Sequence, residues 1–255
     1  MPLRWNLAAC VLGSVSVLLS GGGATAAAAP GPSNAALEGR QLVLELLAQR
    51  PAENSTLSGV LKDPRGKRPE IPVEITTTIT TSNWQTLYQT RGTNKDNAAS
   101  LTIIHTDALP NEYRMAVFSR PRDDTNEFVH LTGNRTMIPF AGWDFCVADL
   151  GLEFMHWPAQ TILKRELRSG RWCSILESTN PAPSTNGYLR VVTWIDAETD
   201  GIIFAEAYDL KGKLLKEFKP RNLETVNGQY QVQELQISNV QTGSRTRLDF
   251  NLGGK

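Results

Sequence analysis

The chain of 255 residues balances 26 lysines and arginines against 26 aspartates and glutamates, a formal net charge of zero. It therefore lacks the basic excess that nucleic-acid binders and proteins of anionic membranes use. With 40% hydrophobic residues it can build a sizeable core, as one large all-β domain or two small ones.

The tetrapeptide "LAAC" at Leu7–Cys10 has the look of a lipobox. A lipobox cysteine follows its hydrophobic stretch, whereas here the apolar run Leu7–Leu19 continues past Cys10. Arg4 as a short positive region, that run, and Ala24-Thr25-Ala26 as an A-x-A site compose a secretory signal over residues 1–26. The run ends at Gly21-Gly22-Gly23, short of the about 20 apolar residues of a spanning helix. A flexible lead is expected over 27–36 and a single domain over 37–255. Export would leave two cysteines, Cys146 and Cys173, enough for one disulfide in an oxidising compartment.

Leu37–Arg50 carries the one long helical pattern. Val43, Leu44, Leu46 and Leu47 form its apolar stripe, Arg40, Gln41, Glu45 and Gln49 face water, and Pro51 stops it. Nearly everything after it alternates with period two. "TLSGVLK", "VEITTTITTS", "WQTLYQTR", "SLTIIHT", "EYRMAVF" and "NEFVHL" are candidate strands of the first half. "TILKREL", "RWCSILES", "YLRVVTWID", "GIIFAEAYD", "KLLKEF", "QYQVQELQI" and "RTRLDF" continue the series. Turn-like links such as "DAETDG", "DLKG" and Asn227-Gly228 join them, so the expected architecture is one antiparallel sheet without βαβ units.

Phe140–Gln160 interrupts that rhythm. Asp149 is expected to cap a short helix with the stripe Leu150, Phe154 and Trp157, ended by Pro158. The stretch also holds Trp143, Phe145 and Met155, and reads either as core plugging the sheet or as a cover over an apolar cavity. "VVTWI" and "GIIFA" are apolar on both faces, more than a sheet solvated on one side requires.

No catalytic constellation emerges. His105, His130 and His156 lie in separate segments, and the His105–Asp107 pair is too few ligands for a metal site. G-x-S-x-G, H-E-x-x-H, P-loop and G-x-G-x-x-G patterns do not occur. An enzyme is disfavoured, with no cofactor and no metal expected.

The blocks "IPFAGWDFCVADLGLEF", "GRWCSILES", "YLRVVTWIDAETDGIIFAEAYDLKGKLLKEF" and "VNGQYQVQELQISNVQTGSRTRLDF" follow one another from Ile138 to Phe250. In that order they resemble the outer-membrane lipoprotein-sorting protein family, the LolA-like superfamily, in particular its uncharacterised treponemal-protein branch. The resemblance implies a mainly β fold, an incomplete antiparallel β-barrel of about eleven strands, with an N-terminal helix and a short mid-chain helix as lid. It implies a periplasmic carrier that binds lipid or lipoprotein acyl chains, with an inner-membrane donor and an outer-membrane acceptor as partners and no nucleic acid. The alternative is an envelope-stress sensor or interaction scaffold without lipid cargo. Phe145, Leu150, Phe154, Met155 and Trp157 are the expected lipid-binding residues of the lid, with Trp194, Phe204 and Tyr208 as the opposite wall. The family's carriers have an R-P-N-x-F stretch whose arginine holds the lid shut. "LPNEY" stands there in this chain, with Leu109 at the arginine position.

Overall fold

The computed structural model describes residues 33–90, 98–107, 109–117, 128–226 and 229–251. The signal segment, most of the lead and the Asn227-Gly228 turn lie outside the described residues.

The first helix, α1 (Asn34–Leu47), starts before the expected Leu37. The reason is a cap within the lead: the Ser33 hydroxyl accepts a hydrogen bond from the Ala36 amide at 3.3 Å, satisfying one of the donors a helix start leaves unpaired. The helix ends at Leu47 rather than Arg50, clear of the steric restriction that Pro51 places on its predecessor. Its packing stripe is Leu42, Val43, Leu46 and Leu47, while Leu44, expected inside, is exposed. Gly39 lets the helix ride directly on the sheet, because a Cβ there would sit 2.8 Å from the Gln160 carbonyl oxygen.

Thirteen strands follow among the described residues. They are β1 (Ser55–Lys62), β2 (Ile71–Ile79), β3 (Trp84–Thr90), β4 (Ala99–His105), β5 (Glu112–Val117), β6 (Val129–Leu131) and β7 (Ala159–Arg168). The series continues with β8 (Arg171–Thr179), β9 (Arg190–Asp196), β10 (Ile202–Tyr208), β11 (Leu214–Val226), β12 (Gln229–Asn239) and β13 (Arg245–Asn251). Each period-two segment of the sequence is a strand, more than the roughly eleven that the family resemblance implies. β11 runs on past Phe218 through Pro220. The proline is tolerated because β10 pairs with β11 only as far as Phe218, so beyond it one side of β11 has no ladder for the missing amide to break.

The strands form one open antiparallel sheet in the order β6-β5-β4-β3-β2-β1-β13-β12-β11-β10-β9-β8-β7. The first six step outward from β1, and the last seven begin at the far edge and return until β13 pairs with β1. Residues 132–158 must therefore pass from one edge of the sheet to the other. Thirteen strands at about 4.8 Å spacing span roughly 58 Å along the sheet, and a partly helical connector of this length crosses most readily as a chord over a curled inner face.

Burial follows that path. One side of the crossover gives Phe140, Trp143, Phe145 and Val147 to a cluster with Leu61, Ile75, Tyr88, Leu101, Tyr113 and Leu248 from β1–β5 and β13. The other side gives Cys146, Ala148, Phe154, Met155 and Trp157 to a second cluster with Val43 of α1 and Leu176, Val191, Ile195 and Ala205 of β8–β10. The expected mid-chain helix is broken into two pieces. Helix α2 (Val147–Leu150) is capped at Cys146, and a separate 3₁₀ turn covers Glu153–His156. Asp149 is the third residue of α2, not its cap, and its carboxylate accepts from the Cys146 amide at 2.8 Å. The break falls at Leu152, in the left-handed region at φ 49°, where a helix of L-residues cannot continue. Among the described residues no helix is long and apolar enough to cross a membrane.

Candidate functional site

An apolar cavity of about 150 Å³ lies between the crossover and the inner face of the sheet. Leu150, Leu152 and Met155 of the crossover roof it, and Tyr88, Leu235 and Leu248 close its inner end. At the other end the lining residues are half-buried or exposed: Gln49 after α1, His105 at the end of β4 and Asp107 beyond it, Asn111, His156 and Asp200. This is the mouth. A smaller chamber behind it shares Asp149, Leu152 and Phe218 as a common wall.

The crossover is held on both flanks. On the β5 side the Asn111 side-chain amide donates to the Gly151 carbonyl at 2.8 Å, and the Tyr113 hydroxyl donates to Glu153 Oε2 at 2.7 Å. Leu109 is 56% exposed, and "LPNEY" reaches the lid through its asparagine and tyrosine. Burial raises the Glu153 carboxyl above its usual range, partly offset by the Tyr113 hydrogen bond, and burial together with the Glu153 charge raises Tyr113. Gly151 is needed for this approach, since a Cβ there would lie 2.3 Å from the Tyr113 hydroxyl oxygen. Gly151→Ala is expected to lift the lid and destabilise the fold by about 1–3 kcal/mol. The readout is a lower urea midpoint at constant m-value; an unmoved midpoint means the lid is not seated on Tyr113.

On the other flank Asp149 is the anchor. Its carboxylate accepts from the Tyr188 hydroxyl at 2.8 Å and from Lys216 Nζ at 3.2 Å, and Lys216 also donates to the Asp144 carbonyl at 2.7 Å. Burial alone would lower the Lys216 pKa, but the charges of Asp149 and its neighbours bring it above the ordinary value. Gln160 fixes the end of the lid, donating to the Trp157 carbonyl at 2.8 Å and to the Phe154 carbonyl at 3.0 Å while accepting from the Ser178 hydroxyl at 2.7 Å.

At the mouth His105 stacks on Trp84 with ring centroids 3.6 Å apart. Burial pushes its pKa down to about 3, against a pull upward from Asn111, and burial pushes His156 down to about 4. Both rings are therefore neutral at physiological pH. Asp107 is bound in a two-point contact by Arg50, with Nε donating to Oδ1 at 2.8 Å and Nη2 to Oδ2. Asp107 is thus paired with Arg50. Among the described residues no three His, Cys, Asp or Glu side chains gather as a metal site.

The residues singled out from sequence divide in three. Phe145, Leu150 and Met155 line the cavity, Phe154 lines the smaller chamber, and Trp157 is buried in the core beside α1. Trp194, Phe204 and Tyr208 do not form the opposite wall. They belong to a cluster with Cys173 and Ile175 on the outer face of β8–β10, while Ile195, Ala205 and Ala207 take the inner face. That outer face is roofed by cations: Arg168 lies 4.5 Å from the Trp194 ring centroid and 4.0 Å from that of Phe204, and Arg190 lies 3.8 Å from that of Tyr208. The expected disulfide is likewise not formed. Cys146 and Cys173 are both free and buried, one inside among Tyr188 and Leu176, the other on the outer face. Burial, reinforced by the Asp149 charge, pushes the Cys146 thiol up to about 12, which keeps it unreactive. His105 and Asp107 read from sequence only as a metal pair, and Thr86, Asn111 and Arg50 were not foreseen as lining or flanking a site, because they come from segments distant in sequence.

A family model described as an uncharacterized protein matches residues 122–252, about half of the chain. Among solved structures, a DUF1329 family protein from Desulfovibrio piger superposes with a TM-score of 0.64 at 16% identity, covering 88% of this chain and 96% of that one. An outer membrane lipoprotein-sorting protein domain from Vibrio parahaemolyticus gives 0.64 at 18% identity, with 86% and 95% covered. A LolA superfamily protein from Nitrosomonas europaea gives 0.57 at 14%, with 86% and 92% covered. At these identities the likeness is one of fold. No curated protein matches the chain.

Proposed function

The chain belongs to the family of uncharacterized proteins whose model matches residues 122–252, and its fold is LolA-like; on that premise we propose that it is a periplasmic carrier of acyl chains, of lipids or of lipoproteins. The observation that supports this is the apolar cavity under a strapped lid. Each methylene taken from water into such a site contributes about 0.8 kcal/mol, so a chain of a dozen carbons holds without a covalent bond or a charged anchor. The inner volume of about 150 Å³ matches a benzene-sized guest. A full chain therefore needs the hollow between sheet and crossover to deepen, or its end to project through the mouth. No bond of the cargo is made or broken.

Native mass spectrometry of the protein from the periplasm, followed by organic extraction, tests the proposal. A stoichiometric acyl-bearing species is expected. Leu150→Trp fills the roof of the cavity and is expected to weaken uptake of a fluorescent acyl probe by about tenfold or more, since overpacking leaves no room for the guest, while the β-rich circular dichroism is retained. Undiminished uptake by a folded Leu150→Trp protein would place the acyl site elsewhere.

A further inference from the structure

The cavity has a polar pattern of its own near the mouth. The Thr86 hydroxyl and the Asn111 side-chain oxygen both belong to the lining; neither meets a partner at hydrogen-bond geometry, the Asn111 side chain lying beside the His105 ring. Thr86 is only 3% exposed, and a polar atom so buried is normally paired. It stands two residues along β3 from Trp84, which stacks on His105, so roughly 7 Å further in at the rise of a strand. A guest entering by the mouth thus meets an amide oxygen that can only accept and then a hydroxyl that can donate or accept.

The charges around these two atoms are arranged to one effect. Arg50 is held by Asp107 at two points, and Lys216 is held by Asp149 and the Asp144 carbonyl. His105 and His156 are neutral at physiological pH because they are buried. The exposed Asp200 carboxylate adds negative charge at the rim. A carboxylate or phosphate guest would find no free cation among these residues, and its lone pairs would face those of Asn111. A hydroxyl of the guest would donate to Asn111 instead, and an ester carbonyl would accept from Thr86.

We infer that the mouth selects acyl chains carried on an uncharged head with both a hydroxyl and an ester carbonyl, the chemistry of an acylglycerol, and turns away free fatty acids. The selection rests on the acyl-carrier reading of the same cavity. Asp107 is its positioning residue, because it keeps the Arg50 guanidinium from serving as an anion receptor.

Displacement of Nile red, a neutral apolar dye, by monolauroylglycerol and by laurate at neutral pH tests this. With the wild-type protein the ester is expected to displace the dye at a concentration about tenfold or more below that of the acid, as a site built around one hydrogen-bond pattern discriminates against another. Asp107→Ala releases Arg50 and is expected to improve laurate by about fivefold relative to the ester. Thr86→Val is expected to weaken the ester by about fivefold relative to the dye. Equal displacement by acid and ester in the wild type, or no gain for laurate in Asp107→Ala, overturns the inference. Failure of both lipids to displace the dye, or of the dye to bind, removes the acyl-carrier reading itself and the head-group rule with it.

Discussion

Acidification from about pH 7 to about pH 4.5 is expected to cost the fold about 3–5 kcal/mol, most of it from His105 and His156. Both histidines have folded-state pKa values pushed down by burial, to about 3 and about 4. In the unfolded chain each takes up a proton near 6.5. Below that value the unfolded state binds more protons than the folded one, so stability falls as the pH falls, and the loss levels off only beneath the folded values. Glu153 acts in the opposite sense, because its raised carboxyl costs stability at neutral pH and recovers it in acid, which is why the lower end of the range is included. The measurement is the urea midpoint across this window in the wild type and in His105→Phe, which preserves the stack on Trp84. The variant is expected to show about half the slope. A wild-type midpoint that does not move between these pH values contradicts the burial of both rings. Since one ring lies on the wall and the other in the lid, the same loss is expected to loosen the mouth before the rest of the sheet.

The second large effect concerns the anchor of the lid. Lys216→Met leaves the Asp149 carboxylate, only 9% exposed, without its cation. Breaking one half of a buried pair costs about 3–5 kcal/mol, whereas replacing both charged partners is far better tolerated. The double variant Lys216→Met with Asp149→Asn is therefore expected to recover much of the loss, because the amide oxygen still accepts from the Cys146 amide while the amide nitrogen can donate to the Tyr188 hydroxyl oxygen. Chemical denaturation of the two single variants and the double gives the coupling directly. Purely additive losses would mean that Lys216 acts only through the Asp144 carbonyl.

How far sequence led to structure can be seen residue by residue. The strands were legible because their side chains alternate and turn residues punctuate them, down to the short pieces at the edges. The crowding of Phe145, Leu150 and Met155 in a stretch without that alternation was also legible, and these three do line the cavity. What alternation cannot decide is which face is which when both are apolar. On β9, Trp194 and Ile195 look equally suited to the interior, yet Ile195 is inside and Trp194 outside. The difference lies in Arg168, Arg190 and Lys219, whose positions over the outer rings depend on the fold of neighbouring strands. The cysteines failed as a pair for the same reason. The mouth was least legible of all, because Arg50 and Asp107 are 57 positions apart, and neither carries a local signature of the other.

The chain that roofs the cavity is also the chain that joins the two edges of the sheet. In mechanical terms the molecule is a bow, with the sheet as its stave and residues 132–158 as its string. A string of fixed length ties the depth of the hollow to the bend of the stave, so a bulkier guest has to be accommodated by flattening the bow rather than by lifting a free flap. Capacity then becomes a property of tether length. Insertions in the exposed hairpins leave it unchanged, whereas each residue added to or removed from the string resets it.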